Sequence, residues 1–144
     1  MSYWDSSALA KLFLCEADSS RFFSLARSLL PVVTAHLARH ELHTAFRRKE
    51  AEGLIQPGDA AILREDLEVL ITSGIITIVD ETDFVRSEFA GVLESCFSAV
   101  PPVFVRTNDA IHIATALAAG ETNFISADIR QKKAAEVSRL TVHP

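Results

Sequence analysis

The sequence predicts an α/β protein, a three-layer α/β/α sandwich on a mainly parallel sheet. Short apolar runs rich in β-branched residues alternate with longer segments of helical period. Glycine or proline marks the joints, at Pro31, Gly53, Pro57, Gly74, Pro101-Pro102 and Gly120. Strands separated by helical segments pair in parallel and carry helices on both faces.

Taken in order, Met1–Asp5 reads as a short strand running into the helix-capping pair Ser6-Ser7 and a helix to about Leu14. Ser19–Leu30 is an amphipathic helix. Pro31–Thr34 is a brief strand feeding a helix over Ala35–Ala51. From Pro57, a helix places Ala60, Leu63, Leu67 and Leu70 on one stripe and stops at Gly74. Ile75–Val79 is a continuous β-branched run, the pattern of a strand covered on both faces. A helix from about Glu81 to Cys96 and the loop at Pro101-Pro102 come next. The helix Asn108–Ala119, strand Asn123–Ser126, helix Ile129–Val137 and strand Leu140–Val142 complete the chain. No repeat, low-complexity stretch or linker divides it, so residues 1–144 are expected to form one domain.

At 49% hydrophobic residues the chain suits a packed core rather than disorder. Its net charge of -5 argues against broad electrostatic attraction to nucleic acid, unless bound cations cancel part of it. Cys15 and Cys96 show neither metal-ligand spacing nor a disulfide framework and read as ordinary thiols. There is no charged n-region with a long apolar run behind it, and nothing approaches about 18 uninterrupted apolar residues. A cytoplasmic protein without membrane contact is expected.

Against this background Asp5, Glu41, Asp109 and Asp128 stand out, because each interrupts an apolar or small-residue stretch. A buried carboxylate must be paired, protonated or bound to a cation. No lysine or arginine is obviously placed within those stretches to neutralise them. Asp5 and Asp128 each close a strand and precede a helix, so both belong on the rim where open parallel sheets bind ligands. An N-capping role is equally open for each. Leu37, Ala38, Glu41, Leu42 and Ala45 share one helix face, which puts Glu41 within the stripe expected to pack on the sheet. Asp109 opens a helix that Thr107 or Asn108 can cap. His112, three residues on, could orient a carboxylate, although a packed core histidine is the default reading.

His36, His40 and His43 superficially suggest a zinc-protease helix, but the H-E-x-x-H spacing fails. They cluster with Arg47 opposite Glu41 and read as a polar face. His36 and His40 could still take up adventitious Zn²⁺ or Ni²⁺.

The segments YWDSSALAKLFLCEADS, ARHEL, RTNDAIHIATAL and FISADIRQKKAAE, in this order and spacing, resemble PIN-domain ribonucleases and, among them, VapC-type toxins of bacterial toxin–antitoxin pairs. The resemblance runs over almost the whole chain. It implies a PIN-like fold and an acidic quartet at Asp5, Glu41, Asp109 and Asp128, with Ser6 and Ser126 in support. Trp4, where an aliphatic residue is common, and Ser138-Arg139, where a glycine is often found, depart from the pattern without touching the quartet.

The activity so implied is a metal-dependent endoribonuclease using one or two Mg²⁺ or Mn²⁺ ions. RNA is the substrate, a cognate antitoxin the restraining partner and a homodimer the assembly. Apolar residues over Leu9–Leu14 and Phe22–Leu30 offer a groove for an antitoxin segment or, equally, part of the core. Lys11, Arg106 and Arg130 are the first candidates for phosphate contacts, with Arg39, Arg47 and Lys132 behind them. The alternative is a non-catalytic PIN-like module that binds RNA or protein. A phosphoacceptor receiver domain fits poorly, since Asp5 is followed by two serines and Asp80 comes too late in the chain.

Overall fold

The computed structural model describes residues 1–143. Strand β1 (Ser2–Trp4) leads into α1 (Ser6–Ala10) and α2 (Ser19–Ser28), and β2 (Val32–Ala35) into α3 (Leu37–Ala51) and α4 (Asp59–Thr72). Strand β3 (Ile76–Val79) is followed by α5 (Asp83–Phe97) and α6 (Thr107–Ala118), and β4 (Asn123–Ile125) by α7 (Ile129–Val137) and β5 (Thr141–His143). The strands form one sheet in the order β3-β2-β1-β4-β5, with every pair parallel. The expected α/β/α sandwich is the observed architecture.

The chain builds outward from β1 to β3, then returns to the other side of β1 with β4 and β5. Parallel crossovers keep one hand, so this reversal sends the two halves' helices to opposite faces. Side-chain alternation along the strands fills both cores. Tyr3, Val33 and Phe124 pack with Val85, Val92, Ala110, Ile113, Ala134 and Ala135 beneath α5, α6 and α7. Their sequence neighbours Trp4, Val32 and Ile125 pack with Leu9, Phe22, Leu42, Phe46 and Leu67 beneath α1 to α4. Tyr3 stacks on Phe124 with ring centroids 5.3 Å apart. The reversal places a switch point between β1 and β4, the crevice where such sheets bind ligands.

Several elements depart from the sequence expectation. Helix α1 ends at Ala10 rather than Leu14, because Lys11, Leu12 and Phe13 tighten to i→i−3 bonds on Ala8, Leu9 and Ala10. Strand β3 is not covered on both faces: it lies at the sheet edge, with Thr77 exposed and Ile75, just before it, 46% exposed. Its β-branched run reflects strand propensity rather than burial. Leu9, Leu14 and Phe22 belong to the core, whereas Phe23 and Leu30 face outward. No helix among the described residues is long and apolar enough to cross a membrane.

Helix α7 ends in a paired C-terminal motif, with Arg139 N–H on Glu136 O at 2.9 Å and Leu140 N–H on Ala135 O at 3.0 Å. This requires a left-handed residue, and Arg139 occupies it at φ 66°, where the three other helix ends of this kind at Gly53, Gly74 and Gly120 use glycine. A side chain there strains the backbone by about 1 kcal/mol or more, which glycine's greater unfolded-state freedom only partly offsets. Arg139→Gly is therefore expected to stabilise the fold by roughly 0.5–1 kcal/mol, a rise in Tm of about 2–3 °C. An unchanged or lower Tm would show that the arginine side chain makes compensating contacts.

Candidate active site

Asp5 and Asp128 arrive at the switch point because β1 and β4 end there, and both serve as N-caps. Asp5 accepts the Ala8 N–H at 2.8 Å, and Asp128 accepts the Arg130 N–H at 2.8 Å. The cap and pocket readings left open by the sequence are thus both realised, since each carboxylate also lines one cavity of ≈ 130 Å³. Glu41, one turn into α3, and Asp109, in the first turn of α6, complete that lining with Ser6, Ser7, His112 and Gln131. No lysine or arginine among the described residues contributes to it.

Asp5 is 2% exposed and is held by hydroxyls as well as by its cap. Ser7 Oγ lies 2.9 Å from both carboxylate oxygens, and Ser126 Oγ donates to Oδ2 at 2.7 Å. Ser7 in turn accepts the Ala127 N–H at 2.9 Å, and Ser126 accepts the Asp128 N–H at 3.0 Å, tying the β1 rim to the β4 rim. Burial pushes the Asp5 carboxyl up, while the charge of His112 and these hydrogen bonds pull it back.

Glu41 answers to α6 instead. Ser6 Oγ donates to Oε2, Asn108 Nδ2 donates to Oε1 at 2.9 Å, and His112 Nε2 lies 2.8 Å from Oε2. The far side of the imidazole meets the Tyr3 hydroxyl, 2.7 Å from Nδ1, and that hydroxyl already accepts the Ala35 N–H at 3.1 Å. The phenol at Nδ1 and Glu41 at Nε2 leave both ring nitrogens partnered. Burial raises the Glu41 carboxyl, but the hydrogen bond and charge of His112, with Ser6 and Asn108, outweigh it and bring it down to about 2. Asp109 moves the other way: burial and the charge of Asp128 raise it, against the pull of Arg106 and His112.

The structure therefore gathers Asp5, Glu41, Asp109, Asp128 and Ser6 around one pocket, with Ser126 directly behind Asp5. Among the described residues no three His, Cys, Asp or Glu side chains stand in ligand geometry around one point. Asp5, Glu41 and Asp128 are turned toward their own hydrogen-bond donors. Glu41 lies at the margin of the buried stripe of α3, which is Ala38, Leu42 and Phe46, rather than within it. His112 is more than a packed core histidine. Asn108 spends its side chain on Glu41 instead of capping α6, and no side chain caps that helix.

Sequence reading missed the site roles of Tyr3, Ser7, Asn108 and Gln131. For Asn108 a signal existed, since it adjoins Asp109, and for His112 the carboxylate-orienting reading was already open beside the core one. For Tyr3 there was none, because its partners Ala35 and His112 lie 32 and 109 residues away in the chain.

Of the basic candidates, Lys11 is paired with Glu16 at 2.5 Å and Asp18 at 2.7 Å, Arg39 with Glu68 and Arg47 with Glu50. Arg106 and Arg130 have no carboxylate partner among the described residues. Arg130 and Lys49 line a groove of ≈ 550 Å³ that shares Ser7 and Asp128 with the acid pocket. His36 and His40 lie elsewhere, in a cavity of ≈ 440 Å³ with Asp80 and Glu81. Cys96 is buried and Cys15 exposed, and both are free thiols.

A parallel α/β sandwich with acids gathered at its switch point is the arrangement of a PIN domain, and a PIN-domain family profile matches residues 2–137. The chain belongs to the PIN-domain family. It is 31% identical over 148 residues to Ribonuclease VapC35 of Mycobacterium tuberculosis, covering 99% of this chain and 95% of that protein. Among solved structures, FitAB bound to an IR36 DNA fragment superposes with a TM-score of 0.74 at 15% identity, over 99% of this chain and 94% of that one. VapC20 of Mycobacterium tuberculosis, described as a sarcin-ricin loop cleaving toxin, gives 0.68 at 18% identity, over 93% and 95%. These last two likenesses are of fold.

Tyr3→Phe tests the link from sheet to site. Removing the hydroxyl leaves the Ala35 N–H and the His112 ring nitrogen without their buried partner, at an expected loss of about 1–3 kcal/mol. Chemical denaturation of the variant measures this, and an undiminished midpoint would show the phenol to be dispensable.

Proposed function

We propose that the protein is a metal-dependent endoribonuclease that hydrolyses RNA phosphodiester bonds, acting as the toxin of a type II toxin–antitoxin pair. The observation that carries this reading is the convergence of Asp5, Glu41, Asp109 and Asp128 on one pocket without a basic residue in its lining. Full-length similarity to a relative named as a ribonuclease supports it. The donor set is carboxylate and hydroxyl oxygen, which suits hard cations such as Mg²⁺ or Mn²⁺. Asp109 is raised by burial and then by the charge of Asp128, a crowding of negative charge that a cation relieves.

Asp5, Glu41, Asp109 and Asp128 would hold one or two such ions, directly or through water. A bound ion supplies the Lewis-acid charge that activates water and stabilises charge developing on the phosphate. The protein's own residues divide the remaining work. Ser7, Ser126 and the Ala8 N–H fix both oxygens of Asp5. His112, Ser6 and Asn108 hold Glu41 ionised and oriented, and at about 2 it is too weak a base to take a proton. Asp109, raised by burial and the charge of Asp128, is the acid whose crowding a bound cation would relieve.

Arg106, Arg130 and Lys11 are the proposed phosphate contacts, with Lys11 available only by release from Glu16 and Asp18. A cognate antitoxin and a second copy of the chain are the proposed protein partners. The exposed Phe97–Phe104 pair, with centroids 6.1 Å apart, is apolar surface suited to one of them.

Purified protein free of antitoxin is expected to cleave single-stranded RNA with Mn²⁺ or Mg²⁺ and to stop with chelator. Asp5→Asn and Asp109→Asn should each lower the rate on the order of a hundredfold or more. RNA binding without cleavage would favour the non-catalytic module, and equal cleavage by the variants would expose a contaminating nuclease.

The acids also predict a pH signature. Asp5 and Asp109 have raised values in the fold, so between their unfolded and folded values the native state holds more protons. Stability from these groups therefore falls as pH rises through that window. A cation replaces those protons, so saturating Mn²⁺ should raise Tm more at pH 7.5 than at pH 5. A shift independent of pH would argue against binding at these carboxylates.

A further inference from the structure

We propose that Gln131 positions the substrate phosphate, its carboxamide Nε2–H donating to a non-bridging oxygen of the phosphodiester seated in the acid pocket. This rests on the ribonuclease reading above. Gln131 is 3% exposed and lines the pocket with the four acids. Among the described residues its Nε2 is the one buried side-chain nitrogen or oxygen without a hydrogen-bond partner. Buried donors are nearly always satisfied, so an exception at a pocket wall points to a ligand.

The local chemistry narrows what that ligand is. Gln131 lies three residues after Asp128, on the same side of α7. Its neighbours at the next turn, Ala134 and Ala135, are core residues, so an apolar side chain would pack there as well. The other end of the carboxamide is scarcely held. Its Oε1 stands 3.5 Å from Ser126 Oγ, whose single hydrogen is taken by Asp5 at 2.7 Å. Turning the amide over would instead leave its oxygen unpartnered beside a lining of carboxylates, which repel it. The N–H end is the one that belongs in the pocket, and an N–H bond cannot ligate a cation. None of the carboxylates in the lining accepts it here, so the oxygen acceptor proposed for it is that of the phosphodiester.

Gln131→Met keeps length and volume while deleting the donor, and Gln131→Glu keeps shape but replaces the donor with charge. Three readouts separate the outcomes. They are Tm with and without Mn²⁺, affinity for a short single-stranded RNA with Ca²⁺ replacing Mn²⁺ to halt cleavage, and cleavage rate with Mn²⁺. Gln131→Met should melt at or above wild type and keep the Mn²⁺-induced shift. It should bind RNA about tenfold more weakly and cleave roughly 10–100-fold more slowly. Gln131→Glu should lose at least as much RNA affinity while keeping its response to Mn²⁺.

Unaltered RNA binding and cleavage in Gln131→Met would overturn the proposal. Loss of the Mn²⁺ shift along with RNA affinity would move the role to the cation's surroundings and overturn the phosphate contact. Should Gln131→Met fold poorly, undiminished RNA affinity in Gln131→Glu would overturn it alone. A wild-type protein that binds RNA but does not cleave it would fail the ribonuclease reading, while the affinity comparison would still decide Gln131.

Discussion

Burying the carboxylate of Asp5 at the end of the central strand is the constraint around which the rest of the structure is arranged. A parallel sheet that reverses direction beside β1 must place the C-terminal end of β1 at its deepest point. A charged group there has almost no access to water, and its desolvation is offset only by directed hydrogen bonds. The Ala8 N–H, Ser7 and Ser126 supply them, from the helix that follows and from the loop beyond β4. Because Ser7 also accepts the Ala127 N–H, the same bonds that solvate Asp5 lock the two sides of the switch point together. Stability and site geometry at this point are one network.

A second network reaches the pocket from the face of the sheet that α5, α6 and α7 cover. Tyr3 sits in the core beneath α5, α6 and α7, yet its hydroxyl joins the β2 backbone at Ala35 to the imidazole of His112. His112 passes this order to Glu41, which Ser6 and Asn108 grip on the other sides. The two acids thus receive different electrostatic treatment. Glu41 stays ionised, whereas Asp5 is raised by burial against the pull of His112, and Asp109 by burial and the charge of Asp128. Groups whose environments push their values apart can take different roles within one site.

The layer order and the four acids were legible in the sequence because both depend on local pattern: helical phase, β-branched runs and turn residues. Helix α7 ran from Ile129 to Val137 in both readings. What escaped depends on partners distant in the chain. Strand β3 looked doubly covered because its residues report propensity, while its place at the edge follows from strand order. His112 looked like core because the phenol and carboxylate that fill its two nitrogens come from β1 and α3, 109 and 71 residues away. Gln131 carries no pattern at all in a helix of mixed polarity. It becomes visible only when each buried polar atom is matched with its partner.

Charge is resolved at the same scale. A net charge of -5 disfavours a polyanion at long range, but the groove beside the pocket is lined by Arg130, Lys11 and Lys49. Lys11 and Lys49 both bind Glu16, and Lys11 binds Asp18 as well, so two of the three cations are compensated internally. These pairs are partly buried, with Lys11 the more enclosed group and Asp18 its more exposed partner, so Lys11–Asp18 is the pair a phosphate entering the groove would displace most readily. At the acids no such exchange is available, because their hydrogen-bond partners are neutral apart from one histidine. For the proposed phosphodiester substrate, attraction there would have to be supplied by the proposed cation, whereas the groove offers arginine and lysine directly.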